Sequence, residues 1–138
     1  MGSKIFTGDS SLNHLEELVE DLRGLVLETV KISLPTLKGL SCVRITDIIR
    51  CEADGMYTNI FLLDRTKLMV SKNIKEYEKL LVRYHFIRVH ASHLINKFYI
   101  KEYITGDGGI IRMDDNSYIP VSRSQKKIVL KSLKQIYL

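Results

Sequence analysis

Asp47-Ile48-Ile49-Arg50-Cys51-Glu52-Ala53-Asp54-Gly55-Met56-Tyr57-Thr58-Asn59-Ile60-Phe61-Leu62-Leu63 decides the fold class. Two short apolar runs flank Asp54-Gly55, a tight-turn signal. Side chains alternate along a strand, so Met56, Thr58, Ile60 and Leu62 are expected on one face. The stretch therefore reads as strand, turn, strand.

The same grammar extends outward. Asp64-Arg65 makes a second turn into a strand at Lys67–Val70. Upstream, Leu40–Ile45 reads as a strand, and Val30–Leu34 alternates until Pro35. Downstream, 71–81 reads as a helix with Ile74, Tyr77, Leu80 and Leu81 as its inner stripe. Phe86–His90 is a strand, Ala91–Asn96 a short helical turn, and Phe98–Ile104 a strand. Gly106-Asp107-Gly108-Gly109 is a turn cluster. Ile110–Met113, the turn Asp114-Asp115-Asn116 and Ser117–Val121 make a last hairpin, with Pro120 marking an edge strand or a strand end. Ser122–Tyr137 reads as a helix opened by a capping box of Ser122 and Gln125, with Ile128, Val129, Leu133 and Ile136 inward. About eight short strands with two or three helices point to a mainly β, antiparallel domain with peripheral helices.

Before that domain lies one amphipathic helix. Ser10 and Ser11 are candidate caps. Leu12, Leu15, Leu18, Val19, Leu22, Leu25 and Val26 recur at helical spacing, opposite Glu16, Glu17, Glu20 and Asp21. Such a stripe cannot be buried by one helix alone. It must pack on the body, on a copy of itself, or on an upstream domain. The expected organisation is a linker or amphipathic helix over 1–29 and a folded domain over 30–138.

Charge divides along the same line. The net charge is +5 over 138 residues, with −4 in residues 1–30 and +9 in the rest. A basic body suits a polyanion such as nucleic acid, although a solvated lysine face gives the same composition. No apolar run approaches the roughly 20 residues of a membrane-spanning helix. Met1–Gly8 lacks the apolar stretch of a signal peptide, so a cytoplasmic location is expected, and Met1-Gly2-Ser3 resembles a start left by cloning. Cys42 and Cys51 have no metal-finger spacing and read as free thiols, with a disulfide or redox switch as the alternative.

Chemistry-bearing patterns are sparse. His85, His90 and His93 match no zinc signature, and no nucleophile elbow, paired acid or Cys-His signature occurs. The glycine cluster lies between strands and lacks the lysine and helix of a phosphate-binding loop. Neither an enzyme nor a cofactor is expected. Polar side chains gather instead at strand ends, where rigid scaffolds carry binding residues. The candidates are Tyr57 and Asn59 after the first turn, His90, Ala91 and Ser92 at a strand end, and Arg123 and Ser124 opening the last helix. Lys97, Lys126, Lys127 and Lys131 are candidates for phosphate contacts, with Lys131 alternatively on the solvent face. Arg123 at a helix start can meet phosphate or read guanine, and His90 and Asn59 can bond base edges.

Three stretches in order then resemble one family. Ile45-x-x-Ile48-Ile49-x-Cys51-Glu52-Ala53-Asp54-Gly55-Met56-Tyr57-Thr58 resembles the first signature of the LytTR DNA-binding domains of bacterial response regulators. Phe86–Asn96 is similar to their most characteristic stretch, and Ile119-Pro120-Val121-Ser122-Arg123 to the closing one. The resemblance covers about residues 30 to 134. It implies an elongated antiparallel fold of about ten short strands. It also implies loops in successive major grooves of double-stranded DNA, and a pair of copies on imperfect direct repeats. The base-reading positions would be the stretch around Tyr57, the stretch His90-Ala91-Ser92, and Arg123. Ala91 departs from the long polar residue common there; its methyl can touch thymine but cannot hydrogen-bond a base. Most such proteins carry an upstream phosphoacceptor domain, for which residues 1–30 are too short. The leader then reads as the linker helix of a two-component transcription regulator, or as a dimerisation helix. The rival reading is a protein-interaction module with weak or no DNA binding, favoured by Ala91 and the acidic leader.

Overall fold

In a computed structural model, which describes residues 8–106 and 108–134, a long helix precedes a β-rich body. The elements are α1 (Gly8–Thr29), β1 (Lys31–Thr36), β2 (Gly39–Arg44), β3 (Ile48–Asp54), β4 (Tyr57–Leu62), β5 (Lys67–Val70) and α2 (Ile74–Leu81). They continue with β6 (Phe86–His90), β7 (His93–Asn96), β8 (Ile100–Ile104), β9 (Ile110–Met113), β10 (Tyr118–Pro120) and α3 (Lys126–Lys134). The ten strands among the described residues form an antiparallel hairpin β1-β2, a five-stranded sheet β5-β4-β3-β7-β6, and a three-stranded sheet β10-β9-β8.

The five-stranded sheet is covered on both faces. Cys51, Ile60 and Leu94 stand in one cross-strand row. They bury with Leu34, Val70, Tyr77 and Leu81 under α2 and the β1-β2 hairpin. Burial pushes the Cys51 thiol up to about 12, so it packs as a small apolar group. Ile95 faces the other way and buries with Val89, Ile111, Met113, Ile119 and Val129, under the three-stranded sheet and α3. Strands covered on both faces read as continuous apolar runs, and periodicity cannot tell such a run from a buried helix segment.

That explains the main correction. Ala91–Asn96 is not a helical turn. Ala91-Ser92 is the turn and His93–Asn96 is β7, between β3 and β6. Leu94 and Ile95 serve opposite cores there. Asn96 is buried and structural: Nδ2 donates to the Ile48 carbonyl at 3.0 Å, and Oδ1 accepts from Phe98 N at 3.1 Å. That second bond starts a 3-10 turn at Lys97–Tyr99, which removes Phe98 and Tyr99 from the expected strand.

Helix boundaries also move. α2 begins at Ile74 because Asn73 caps it, its Oδ1 accepting from Glu76 N at 3.1 Å. Leu80 is exposed, outside the inner stripe. Ser122 and Gln125 form no capping box. Ser122 Oγ faces Ser124 Oγ at 3.3 Å, Gln125 turns to the body, and α3 starts at Lys126. Val129 is buried but Ile128 is exposed; Ile136 lies outside the described residues. Ser10 and Ser11 sit inside α1, not at its cap. The first turn is Gly55-Met56, closed by the pair Asp54 and Tyr57, with Gly55 at φ 60°. Met56 is exposed there, while Thr58 and Ile60 are buried as their alternation requires. The Gly106–Gly109 cluster joins β8 to β9, with Asp107 outside the described residues. Pro120 lies on the edge strand β10.

α1 meets the body at the turn Ile45–Asp47. Leu12, Leu15, Leu18, Val19, Leu22 and Leu25 remain 45–62% exposed. The Val26 side chain lies outside the described residues. No helix among the described residues is long and apolar enough to cross a membrane.

Candidate nucleic-acid interface

Three strand-end segments, far apart in sequence, meet at one end of the five-stranded sheet. The β3-β4 turn brings Ala53 beside the β6-β7 turn, where its N–H donates to the Ser92 carbonyl at 2.9 Å. The segment before α3 is tied to β6 by two bonds. Ser122 N donates to the Val89 carbonyl at 2.9 Å, and Gln125 Nε2 donates to the Arg88 carbonyl at 2.8 Å. Tyr57, His90, Ala91, Ser92, Arg123 and Ser124 therefore share one edge of the molecule.

The exposures differ. Tyr57, Ala91, Arg123, Ser124, Lys126 and Lys127 are exposed, and His90 and Ser92 are half-buried. Asn59 is 6% exposed and aims its amide at Asp54 Oδ2, 3.4 Å away. It sits inside the sheet face, turned toward Asp54 rather than toward the exposed edge. Lys97 lies just past the far end of β7, roughly 16 Å along the chain from Ser92 at about 3.3 Å per residue. Its Nζ donates to Ser132 Oγ of α3 at 3.0 Å, so it does not join the cluster. Arg123 and Ser124 stand in the turn before α3 rather than in its first helical turn. Lys126 and Lys127 open the helix, where no acidic residue lies. Two cations at the positive end of a helix dipole are unfavourable by themselves and suit an approaching anion.

The β6-β7 turn has its own supports. A β-bulge on β6 lets Arg88 pair with Leu94 but His90 pair with His93. Paired residues share a face, so Arg88 lies on the α2 side and His90 on the opposite side. His90 Nδ1 accepts from Ser92 N at 3.0 Å. In the neutral ring this leaves the proton on Nε2, the nitrogen free to donate.

A polar row that sequence alone does not reveal crosses the sheet: Asn59, Glu52, His93 and His90 on β4, β3, β7 and β6. Arg50 Nη1 donates to Glu52 Oε1 at 2.9 Å while its guanidinium lies 3.7 Å from the Phe61 ring centre. Burial lowers the His93 pKa from its ordinary value, against the opposing charge of Glu52. Period-two alternation from Asn59 would have placed Phe61 on its face, but which β3 and β7 residues join them depends on register. Arg88 and Glu78 have no signal in the sequence beyond an arginine between Ile87 and Val89, and Gln125, which reads as a capping partner, bonds the Arg88 carbonyl instead. Among the described residues no group of three His, Cys, Asp or Glu is placed to hold a metal ion.

Comparison with known proteins bears on the same segments. The sequence model of the LytTr DNA-binding domain matches residues 38–134. The sensory transduction protein LytT of Bacillus subtilis (strain 168) is 34% identical over 106 residues, covering 75% of this chain and 43% of that protein. A heme-containing CO-sensing transcriptional regulator of Paraburkholderia xenovorans (strain LB400) is 31% identical over 86 residues, 60% of this chain and 32% of that protein. The chain thus spans less than half the length of these relatives. Among solved structures, a LytTr DNA-binding domain from Bacillus cereus superposes with a TM-score of 0.66 at 26% identity, covering 75% of this chain and 95% of that one.

Proposed function

The chain belongs to the LytTr DNA-binding domain family, and on that premise we propose that it is the site-specific, major-groove-reading part of a transcription regulator. The observation that carries this reading is the meeting of Tyr57, His90-Ala91-Ser92 and Arg123 at one sheet end, with Lys126 and Lys127 beside them. A guanidinium there can fork to guanine O6 and N7, and the half-buried His90 can donate from Nε2. Ala91 offers a methyl to thymine. The lysines supply the phosphate term, which sets affinity and salt dependence without reading sequence. The signalling role of one relative and the transcriptional role of the other favour an output domain of a two-component system working in the cytoplasm.

The working unit in this reading is a pair of copies on imperfect direct repeats. The exposed stripe of α1 supports a second copy as its occupant. Leu12, Leu15, Val19 and Leu22 fall at a, d, a and d of a heptad, with Leu at both d positions and the β-branched Val at the second a, a seam that a second helix can cover. Glu17, Glu20 and Asp21 take the outward positions.

Selection of bound sites from random DNA, followed by anisotropy titration at two salt concentrations, tests the reading. Arg123→Ala is expected to cost about 1–3 kcal/mol on the selected site, while Lys127→Ala weakens binding to all sequences alike. Equal binding of parent and Arg123→Ala would remove Arg123 from the readout. Absence of salt-sensitive binding by the parent would favour the protein-interaction reading.

A further inference from the structure

The β6-β7 turn is built from residues that do not favour it. Two-residue hairpin turns that match strand twist need positive φ at one or both central positions. Neither Ala91 nor Ser92 is among the residues with positive φ. The turn is instead gripped by one side chain. Arg88 Nε donates to the His90 carbonyl at 2.8 Å, and Nη2 donates to the Ala91 carbonyl. Nη1 is anchored on Glu78 Oε1 of α2 at 2.7 Å. The Arg88 side chain is 18% exposed and that of Glu78 39%, so the guanidinium is largely withdrawn from water while its carboxylate partner still meets solvent. The bulge makes this possible, because without it Arg88 would stand on the His90 face, away from α2.

We propose that Arg88, held by Glu78, is the positioning residue that presets the His90-Ala91-Ser92 turn for DNA readout. The inference rests on the DNA-binding reading above. Its physical logic is preorganisation: a loop already in its bound shape spends less of its interaction on ordering. Three of the five guanidinium donors face inward to protein oxygens, two of them to carbonyls of the turn. The Arg88 carbonyl also accepts from Gln125, so the same residue ties the turn to the segment carrying Arg123. Lysine cannot replace it, since an ammonium is a point charge without the planar fork.

The test uses the full chain with Arg88→Met, Arg88→Lys and the milder Glu78→Gln. Amide hydrogen exchange without DNA comes first. Ser92 N–H, bonded to His90, is expected to exchange faster in all three variants, while amides of β4 and β5, which do not bond the turn, keep parental rates. Unchanged exchange at Ser92 in Arg88→Met overturns the proposal, whatever the chain does with DNA. On DNA, Arg88→Met and Arg88→Lys are expected to lose roughly tenfold in affinity for the selected site, with random-DNA affinity and the salt slope preserved. Glu78→Gln should lose less. Equal loss on both DNAs with a salt slope reduced by about one would make Arg88 a phosphate contact and overturn the positioning role. Failure of the parent itself to prefer any site would instead overturn the DNA reading. The exchange result would then still decide what Arg88 does to the turn. Should Arg88→Met not fold, Glu78→Gln alone carries both measurements.

Discussion

The β3-β4 and β6-β7 turns lie side by side, joined by the bond from Ala53 to Ser92, yet they hold their shape by different means. At the first turn the backbone suffices: Gly55 adopts φ 60° and the pair Asp54 and Tyr57 closes the hairpin. At the second the backbone does not suffice, and Arg88, Glu78 and His90 supply what glycine supplies next door. The first turn is therefore written in local sequence. The second depends on a helix ten residues upstream and on a bulge. By side-chain chemistry Ala91 makes the central loop the poorer reader, yet it is the one with more side-chain bonds to its backbone.

Removing what both turns share should have the largest effect. Leu94 is fully buried on β7, beneath the second turn and in the core that α2 closes. Leu94→Ala is expected to cost about 2–5 kcal/mol in urea unfolding, through lost burial and a cavity. A cost under 1 kcal/mol would mean that β7 does not knit the sheet as described.

The turns should then separate under a glycine swap. Gly55→Ala forces an L-residue into the left-handed region and should cost about 1–2 kcal/mol. Ala91→Gly needs no such conformation and should cost about 0.5–1 kcal/mol, through unfolded-chain entropy. Equal costs, measured by chemical denaturation, would erase the distinction.

The smallest effect expected is a pH dependence. His93 belongs to the polar row that links both turns, facing Glu52 of β3 and His90 of β6 with Arg50 beyond. Its folded pKa lies below the ordinary 6.5, because burial disfavours the charged ring. The folded state then binds fewer protons than the unfolded one. This stability is present above about pH 6.5 and is lost as pH falls through the folded value. His85 is shifted in the same direction, again chiefly by burial. The urea midpoint should therefore be lower at pH 5.5 than at pH 7.5, and His93→Gln should narrow the gap. An unchanged gap in that variant would detach His93 from the effect.

Much of the fold was legible because it is local. Gly55 and Asn116 mark turns by tolerance of positive φ and Asp64 by bonding Thr66 N, and the sequence bounds of Lys67–Val70 and Phe86–His90 match the strands to the residue. The candidate surface was legible in part, since Tyr57, Ala91, Arg123 and the α3 lysines are exposed where loops meet strands. Asn59 was not legible. A polar residue two positions after a loop tyrosine looks available until the sheet closes over it, when it is 6% exposed. Lys97 failed in the same way, since a fold contact with Ser132 took it up.

The opening hairpin and its neighbours, by their own alternation and turn chemistry, determined a mainly β chain and the order of its elements. Three ordered motifs were enough to bring the family into view. Tertiary structure decided that Ala91–Asn96 is a turn and a central strand. An apolar run buried on both faces carries no period, and β3 and β6 supply the backbone partners that settle it. It also decided that Arg88 grips a turn three residues away, because a bulge and a helix place the guanidinium where no sequence spacing announces it.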